Sequence, residues 1–341
     1  VGDSQRGPIY SKREEEDKHM LRTRMTDMLG IEYPIQCGTM QGITRAQMVA
    51  AVANAGAFAC LPAATYPTRE ELLDEINRTR DLTDRPFGVN VSLFPTLMPR
   101  PPEELIETVI ESGVKILETA GRNPEPYRKM IKDAGLLHIH KCARVRDASK
   151  ADRIGVDMVS IVGTECGGHP SMEGVTSLVL IPLAVDAVSI PLIAGGGFCD
   201  GRSLVAALAL GADGVNMGTR FLNTRECPIH PSFKQKMVEA PESATTLVLN
   251  SLGNPTRVLR NPWAERVLEM EARGATLEEL APMIKGQISL KGWKEGKLDE
   301  GLYAAGQVIG RIKDVPSVAE LVKRIVDEAV EVKERLDSLL G

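Results

Sequence analysis

The stretch Ser160-Ile-Val-Gly-Thr-Glu-Cys-Gly-Gly-His-Pro170 places one histidine, His169, behind a glycine pair at the end of an apolar run. An imidazole exchanges protons near neutral pH, so a positioned His169 is the first candidate for an acid, a base or a hydrogen-bond donor to substrate. Gly167 and Gly168 let the backbone turn tightly or lie against a flat ligand. Lys141 follows the run Leu136 to His140 and offers a fixed positive charge for negative charge that develops in a reaction. Taken alone, it reads more simply as an exposed lysine at a loop start. The amides of Asn90 and Gln41 can donate and accept at the edge of a ring, or equally satisfy loop backbone.

Two glycine turns, Gly195-Gly-Gly197 and Gly218-Thr219, end apolar runs and open helical patterns. Side by side their N–H groups make an anion cradle, which points to a phosphate-bearing cofactor. Other reactive residues read more plainly. Cys166 has no partner at nucleophile spacing and is expected to pack. His230, between prolines, is expected to be structural. His138 and His140 alternate with apolar residues and share a face, expected to point into the core with satisfied nitrogens. No carboxylate stands at a spacing that would make them a metal site.

These residues sit in a repeating unit of apolar run, small-residue turn, amphipathic helix and glycine. The runs are Pro34 to Cys37, Phe58 to Leu61, Phe87 to Ser92, Val114 to Glu118, Leu136 to His140, Val156 to Val162, Pro191 to Ala194 and Gly214 to Met217. Gly56, Gly113, Gly135, Gly155 and Gly211 follow helical patterns and read as left-handed helix ends. Thr68 with Glu71 and Ser317 with Glu320 are capping boxes, and Thr44 can cap another helix. Eight such units without a Gly-x-Gly-x-x-Gly opening predict an α/β fold, a (β/α)8 TIM barrel with its active site at the carboxyl ends of the strands.

The barrel is expected over 20–230, preceded by a charged leader, Val1–His19, that is expected to stay disordered. Residues 231–310 read as a helical cap and loops, with Pro231 to Met283 helical and Lys285 to Gly301 a loop. Residues 311–341 read as a closing helix with Val318, Leu321, Val322, Ile325 and Val326 on one face.

The 341 residues carry a formal net charge of -5 with both signs intermixed, which gives no footprint for nucleic acid and favours a small-molecule substrate. Six scattered cysteines without a paired spacing fit a reducing, cytoplasmic setting. No run reaches the roughly 20 apolar residues of a membrane span.

The blocks Pro34-Ile-Gln-Cys-Gly-Thr-Met-Gln41, Gly88-Val-Asn90, Glu165-Cys-Gly-Gly-His169, Ala194-Gly-Gly-Gly197 and Asn216-Met-Gly-Thr-Arg-Phe221 resemble the nitronate monooxygenase-like flavoproteins, from about Met20 to the carboxyl end. Within them, His140-Lys-Cys142 and Thr224 to Pro231 are most similar to FMN-dependent NADH:quinone reductases. The resemblance implies FMN held by Gly38, Met40, Gln41, Asn90, Lys141, Gly167, Gly168, Ala194, Gly195, Gly196, Gly197, Met217, Gly218 and Thr219. It implies His169 and Lys141 as catalytic residues, no metal, and NADH as co-substrate. The expected reaction passes two electrons from NADH to a quinone. Oxidation of nitronates with oxygen and reduction or oxidation of a carbon–carbon bond beside a carbonyl are the alternatives, and a homodimer is left open.

Overall fold

Strands buried on both faces need apolar residues at successive positions, and the eight apolar runs supply them. In the computed structural model, which describes residues 21–94 and 100–341, they form β1 (Ile35–Cys37), β2 (Phe58–Pro62), β3 (Gly88–Ser92), β4 (Ile116–Ala120), β5 (Leu137–Cys142), β6 (Met158–Val162), β7 (Leu192–Gly195) and β8 (Gly214–Met217). They pair in parallel in chain order, and β1 closes on β8 with Gln36 opposite Asn216. The result is the expected (β/α)8 barrel. The leader Val1–His19 lies outside the described residues.

The barrel interior is divided in two. Its lower half is apolar: Phe58, Cys60, Ile116, Ile139, Met158 and Ile193 meet Met25 and Leu29 of the short helix Arg24–Leu29. That helix acts as a plug, its start fixed by a Thr23–Thr26 capping box. Gly214 makes room for it, since a Cβ there would fall 2.3 Å from Met25 Sδ. Two residues further along the strands the interior becomes polar. Gln36, Asn90, Glu118, Ser160 and Asn216 are all buried there, joined by hydrogen bonds.

Alternation along β5 places Ile139 in the barrel interior, so His138 and His140 face outward, contrary to the inward position expected from their shared face. Period two fixes which residues share a face, and the plug decides which face is inside. Thr119 Oγ1 bonds His138 Nε2 at 2.7 Å and His140 Nδ1 at 2.9 Å. Burial pushes His138 down to about 3, with help from His140 and Arg128, and pushes His140 down to about 4 against the opposing pull of Asp147.

The helix starts at Thr68 and Ser317 carry the expected capping boxes. Thr44 does not cap the next helix. Its hydroxyl bonds the backbone of Met40, and Glu75 Oε1 accepts from Ala46 N at the start of Ala46–Asn54. The long helix Val318–Leu340 buries the predicted face, together with Ala329, against helices Gly201–Ala209 and Ala46–Asn54.

The segment after β8 departs from its reading in two places. Between helices Pro231–Glu239 and Pro262–Ala272 the chain forms an antiparallel hairpin, β9 (Thr245–Val248) and β10 (Thr256–Leu259), where helices were expected. Gly286–Glu295 is a helix where a loop was expected. Its Gly292 lies against the Tyr303 ring and Trp293 packs on both Phe233 and Tyr303, so tertiary contact outweighs the poor helix propensity of glycine.

Candidate active site

The turns after β6, β7 and β8 meet at one mouth, tied together by the residues between them. Gly163 N donates to Gly195 O at 3.0 Å, and Ser177 Oγ donates to Gly196 O at 2.8 Å. Glu165 accepts from Ser177 N at 3.0 Å, which fixes the start of helix Ser177–Val185 to the same turn. A Cβ on Gly38 would meet Asn216 Oδ1 at 2.8 Å and Gly218 Cα at 3.2 Å, so the turn after β1 needs glycine to reach the turn after β8.

His169 projects into this mouth. Its ring stands 5.5 Å from that of Phe94, at an interplanar angle of 33°. By surface area His169 is exposed, yet it sits in a concave setting walled by protein. That setting, with the nearby positive charge of Lys141, holds its pKa below the ordinary histidine value. The shift favours the neutral imidazole, the form able to take a proton. Lys141, in β5, shares the inward face of Ile139 and has no ion-pair partner among the described residues. Its charge also opposes the rise of the Cys166 thiol, which burial pushes up to about 11. Cys166 is thus an un-ionised packing residue.

The loop that carries His169 is clamped from outside the barrel. Gly168 exchanges backbone hydrogen bonds with Arg257 of β10, at 3.0 and 2.7 Å, and Arg257 Nε donates to Thr164 O at 3.0 Å. Gly167 lies so close to Ala305 that a Cβ would fall 2.8 Å from its carbonyl carbon. The close approach to Ala305 accounts for Gly167, and Gly168 is required by its left-handed backbone, at φ 80°. Arg257 and Ala305 are contributions the sequence did not announce, because each becomes part of the site only through pairing with a distant turn.

The remaining candidates divide by orientation. Asn90 reaches the floor of the mouth and donates its Nδ2 to Glu118 Oε1 at 2.6 Å. Gln41 Nε2 donates to Ala64 O at 3.2 Å, so its amide is engaged with loop backbone. Met40 is tied by its backbone to Thr44 and packs partly against the outer core. The side chains of Ala194 and Met217 face the outer helix layer, leaving only their backbone toward the turns. In their place β8 directs Asn216 inward, bonded to Ser160 Oγ at 3.2 Å. Thr219 Oγ1 accepts from Gly306 N at 2.8 Å, which leaves its hydroxyl proton to donate.

The amides of Gly196, Gly197 and Gly218 have no acceptor among the described residues, and a Cβ on Gly218 would stand in open space. The helix following the first of these turns, Gly201–Ala209, is already capped by Asp200 and by Glu328, which accepts from Gly201 N at 3.0 Å. The cradle is therefore made by the turns themselves. A cavity of about 460 Å³ opens beside Phe94, lined by Ala64, Ser92, Leu93, Arg100 and Arg122.

The model of the nitronate monooxygenase family matches residues 22–328, which takes in every residue of this mouth. The chain belongs to the nitronate monooxygenase family. A Rhodococcus jostii protein named (3aS,4S,5R,7aS)-5-hydroxy-7a-methyl-1-oxo-octahydro-1H-indene-4-carboxyl-CoA dehydrogenase is 32% identical, covering 94% of this chain and 98% of the relative. A probable nitronate monooxygenase of Bacillus subtilis is 31% identical over 87% of this chain and 96% of its own length. Among solved structures, FabK from Thermotoga maritima is 34% identical with a TM-score of 0.87, covering 94% of this chain and all of its own. The nitroalkane oxidase from Streptomyces ansochromogenes is 25% identical with a TM-score of 0.76, covering 92% of this chain and 99% of its own.

Members of the nitronate monooxygenase family are oxidoreductases, and membership implies a flavin. The donor set fits such a group. Unclaimed turn amides and the open space at Gly218 suit a phosphate. An acceptor on Asn90 and an ammonium on Lys141 without an ion-pair partner among the described residues suit a polar ring edge.

Proposed function

We propose that this protein is an FMN-dependent oxidoreductase acting on a carbon–carbon bond beside a thioester carbonyl, with a nicotinamide as the other redox partner. The observation that carries the reading is the placement of His169 at the mouth, its ring 5.5 Å from that of Phe94 and near the charge of Lys141, which favours the neutral imidazole. A neutral base is suited to a C–H acidified by a neighbouring electron-withdrawing group, where it takes or returns the proton. Lys141 would stabilise negative charge as it collects. The carbonyl compound is favoured because two relatives, each 32% identical over 94% and 91% of this chain, are named carboxyl-CoA dehydrogenases.

Bound FMN would supply the two-electron carrier through its N5. The turn amides of Gly196, Gly197 and Gly218 and the Thr219 hydroxyl would hold its phosphate, and Asn90 and Lys141 would contact its ring.

Transfer from NADH to a quinone is the second reading. Phe94 favours it, since its ring beside His169 offers an aromatic wall to a planar acceptor. The residues that set that subtype apart lie elsewhere: His140 faces the helix layer, Thr224 is buried against Met48, and His230 caps Pro231–Glu239.

The test is anaerobic mixing of the FMN-loaded protein with NADH and with NADPH, following flavin absorbance, and then reoxidation by an enoyl thioester, a quinone or oxygen with a nitronate. Bleaching by a nicotinamide and reoxidation by the thioester is the expected result. Reoxidation by quinone alone selects the second reading. Reduction by a nitronate but by neither nicotinamide overturns both.

A further inference from the structure

Glu118 is 0% exposed at the centre of the barrel, where a carboxylate has no obvious place. Removing a charge from water costs several kcal/mol unless other groups compensate it. The compensation comes from three neutral donors. Gln36 Nε2 lies 2.7 Å from Oε2, Asn90 Nδ2 lies 2.6 Å from Oε1, and Thr39 Oγ1 lies 3.1 Å from Oε1. No cation forms an ion pair with it among the described residues. Gln36 Oε1, also buried, has no partner among the described residues. An apolar layer like the one beneath would fill the same space at lower cost, so the polar layer calls for an explanation beyond packing.

An ionised carboxylate only accepts hydrogen bonds. Whatever Asn90 turns toward Glu118 must be its NH2 group, and its carbonyl oxygen is then left for the mouth. Without Glu118 the two ends of the amide would be interchangeable. We infer that Glu118 is a positioning residue: it fixes Asn90 as an acceptor toward the ring of the cofactor, and it sets a negative charge beneath the mouth. This rests on the flavin reading of the site. Such a floor selects a ring that presents an N–H at that edge, and it disfavours added negative charge on that ring.

The experiment compares wild type with Glu118→Gln and Asn90→Ala, singly and together, in apo protein titrated with FMN and in loaded protein poised against redox dyes. Glutamine keeps the shape of glutamate but carries its own NH2, so Asn90 can turn over. We expect FMN to bind up to about tenfold more weakly to Glu118→Gln, the upper worth of one neutral hydrogen bond between the Asn90 carbonyl oxygen and the ring. We expect the midpoint potential to rise and the two substitutions to be strongly non-additive in affinity. Unchanged affinity and potential in a Glu118→Gln protein that melts like wild type would overturn the inference. So would a lowered melting temperature with neither of the other quantities moved, because that is a packing role. Failure of the wild type to bind FMN would instead remove the flavin reading, before any variant is compared.

Discussion

In the proposed reaction His169 would act only while its proton can leave and return, and the side chains around it bear on that balance. Lys141 discourages a positive charge on the ring, and Phe94 packs beside it. Truncation in His169→Ala removes the base and leaves the turn amides intact. The expected outcome is a loss of about 10²–10⁴-fold in the substrate half-reaction, with FMN bound as in wild type. Stopped-flow rates normalised to bound flavin check this, and loss of flavin at unchanged rate per flavin would contradict it. His169 was legible in the sequence because a lone histidine behind two glycines is unusual. Glu118 was not, because an acidic residue in an apolar run is indistinguishable from one at a strand end until the opposite wall of the barrel is known.

At the scale of elements, the hairpin is the unit that holds the loop carrying His169. Strand β10 offers its edge to Gly168, and Arg257 reaches on to Thr164 O. Replacing Arg257 by Ala keeps the backbone pair but removes the side-chain tie. It is expected to lower turnover several-fold, with FMN affinity little changed and increased hydrogen exchange confined to residues 163–170. Exchange that rises across the whole barrel would show that Arg257 supports the fold instead. The eight barrel strands could be read from sequence because each is a short apolar run, five of them entered from a helix-ending glycine, and the helices that follow Thr68 and Ser317 because their caps are local. Thr245–Val248 and Thr256–Leu259 are as short as β7 and β8 but open on threonine and lack a continuous apolar run to mark them. Their pairing with each other and with Gly168 depends on contacts far apart in the chain.

For the molecule as a whole, the outward histidines tie stability to acidity. In the unfolded chain these imidazoles take up protons from about pH 6.5 downward. In the fold they resist until about 4 for His140 and about 3 for His138. The unfolded state binds more protons throughout that window, so stability is complete above it and falls as pH is lowered through it. Melting temperature should decline from pH 6.5 to 4, and the decline should be shallower in His140→Gln. Parallel curves for the two proteins would exclude His140 as a contributor. The plug helix and the clamp also set an order on the chain. Met25 and Leu29, which seal the barrel floor, leave the ribosome before any strand, whereas Arg257 emerges only after β8 is complete. A nascent chain can therefore close its barrel while the His169 turn is still untied, so reactivity would arrive as a late event in synthesis, after the scaffold exists to contain it.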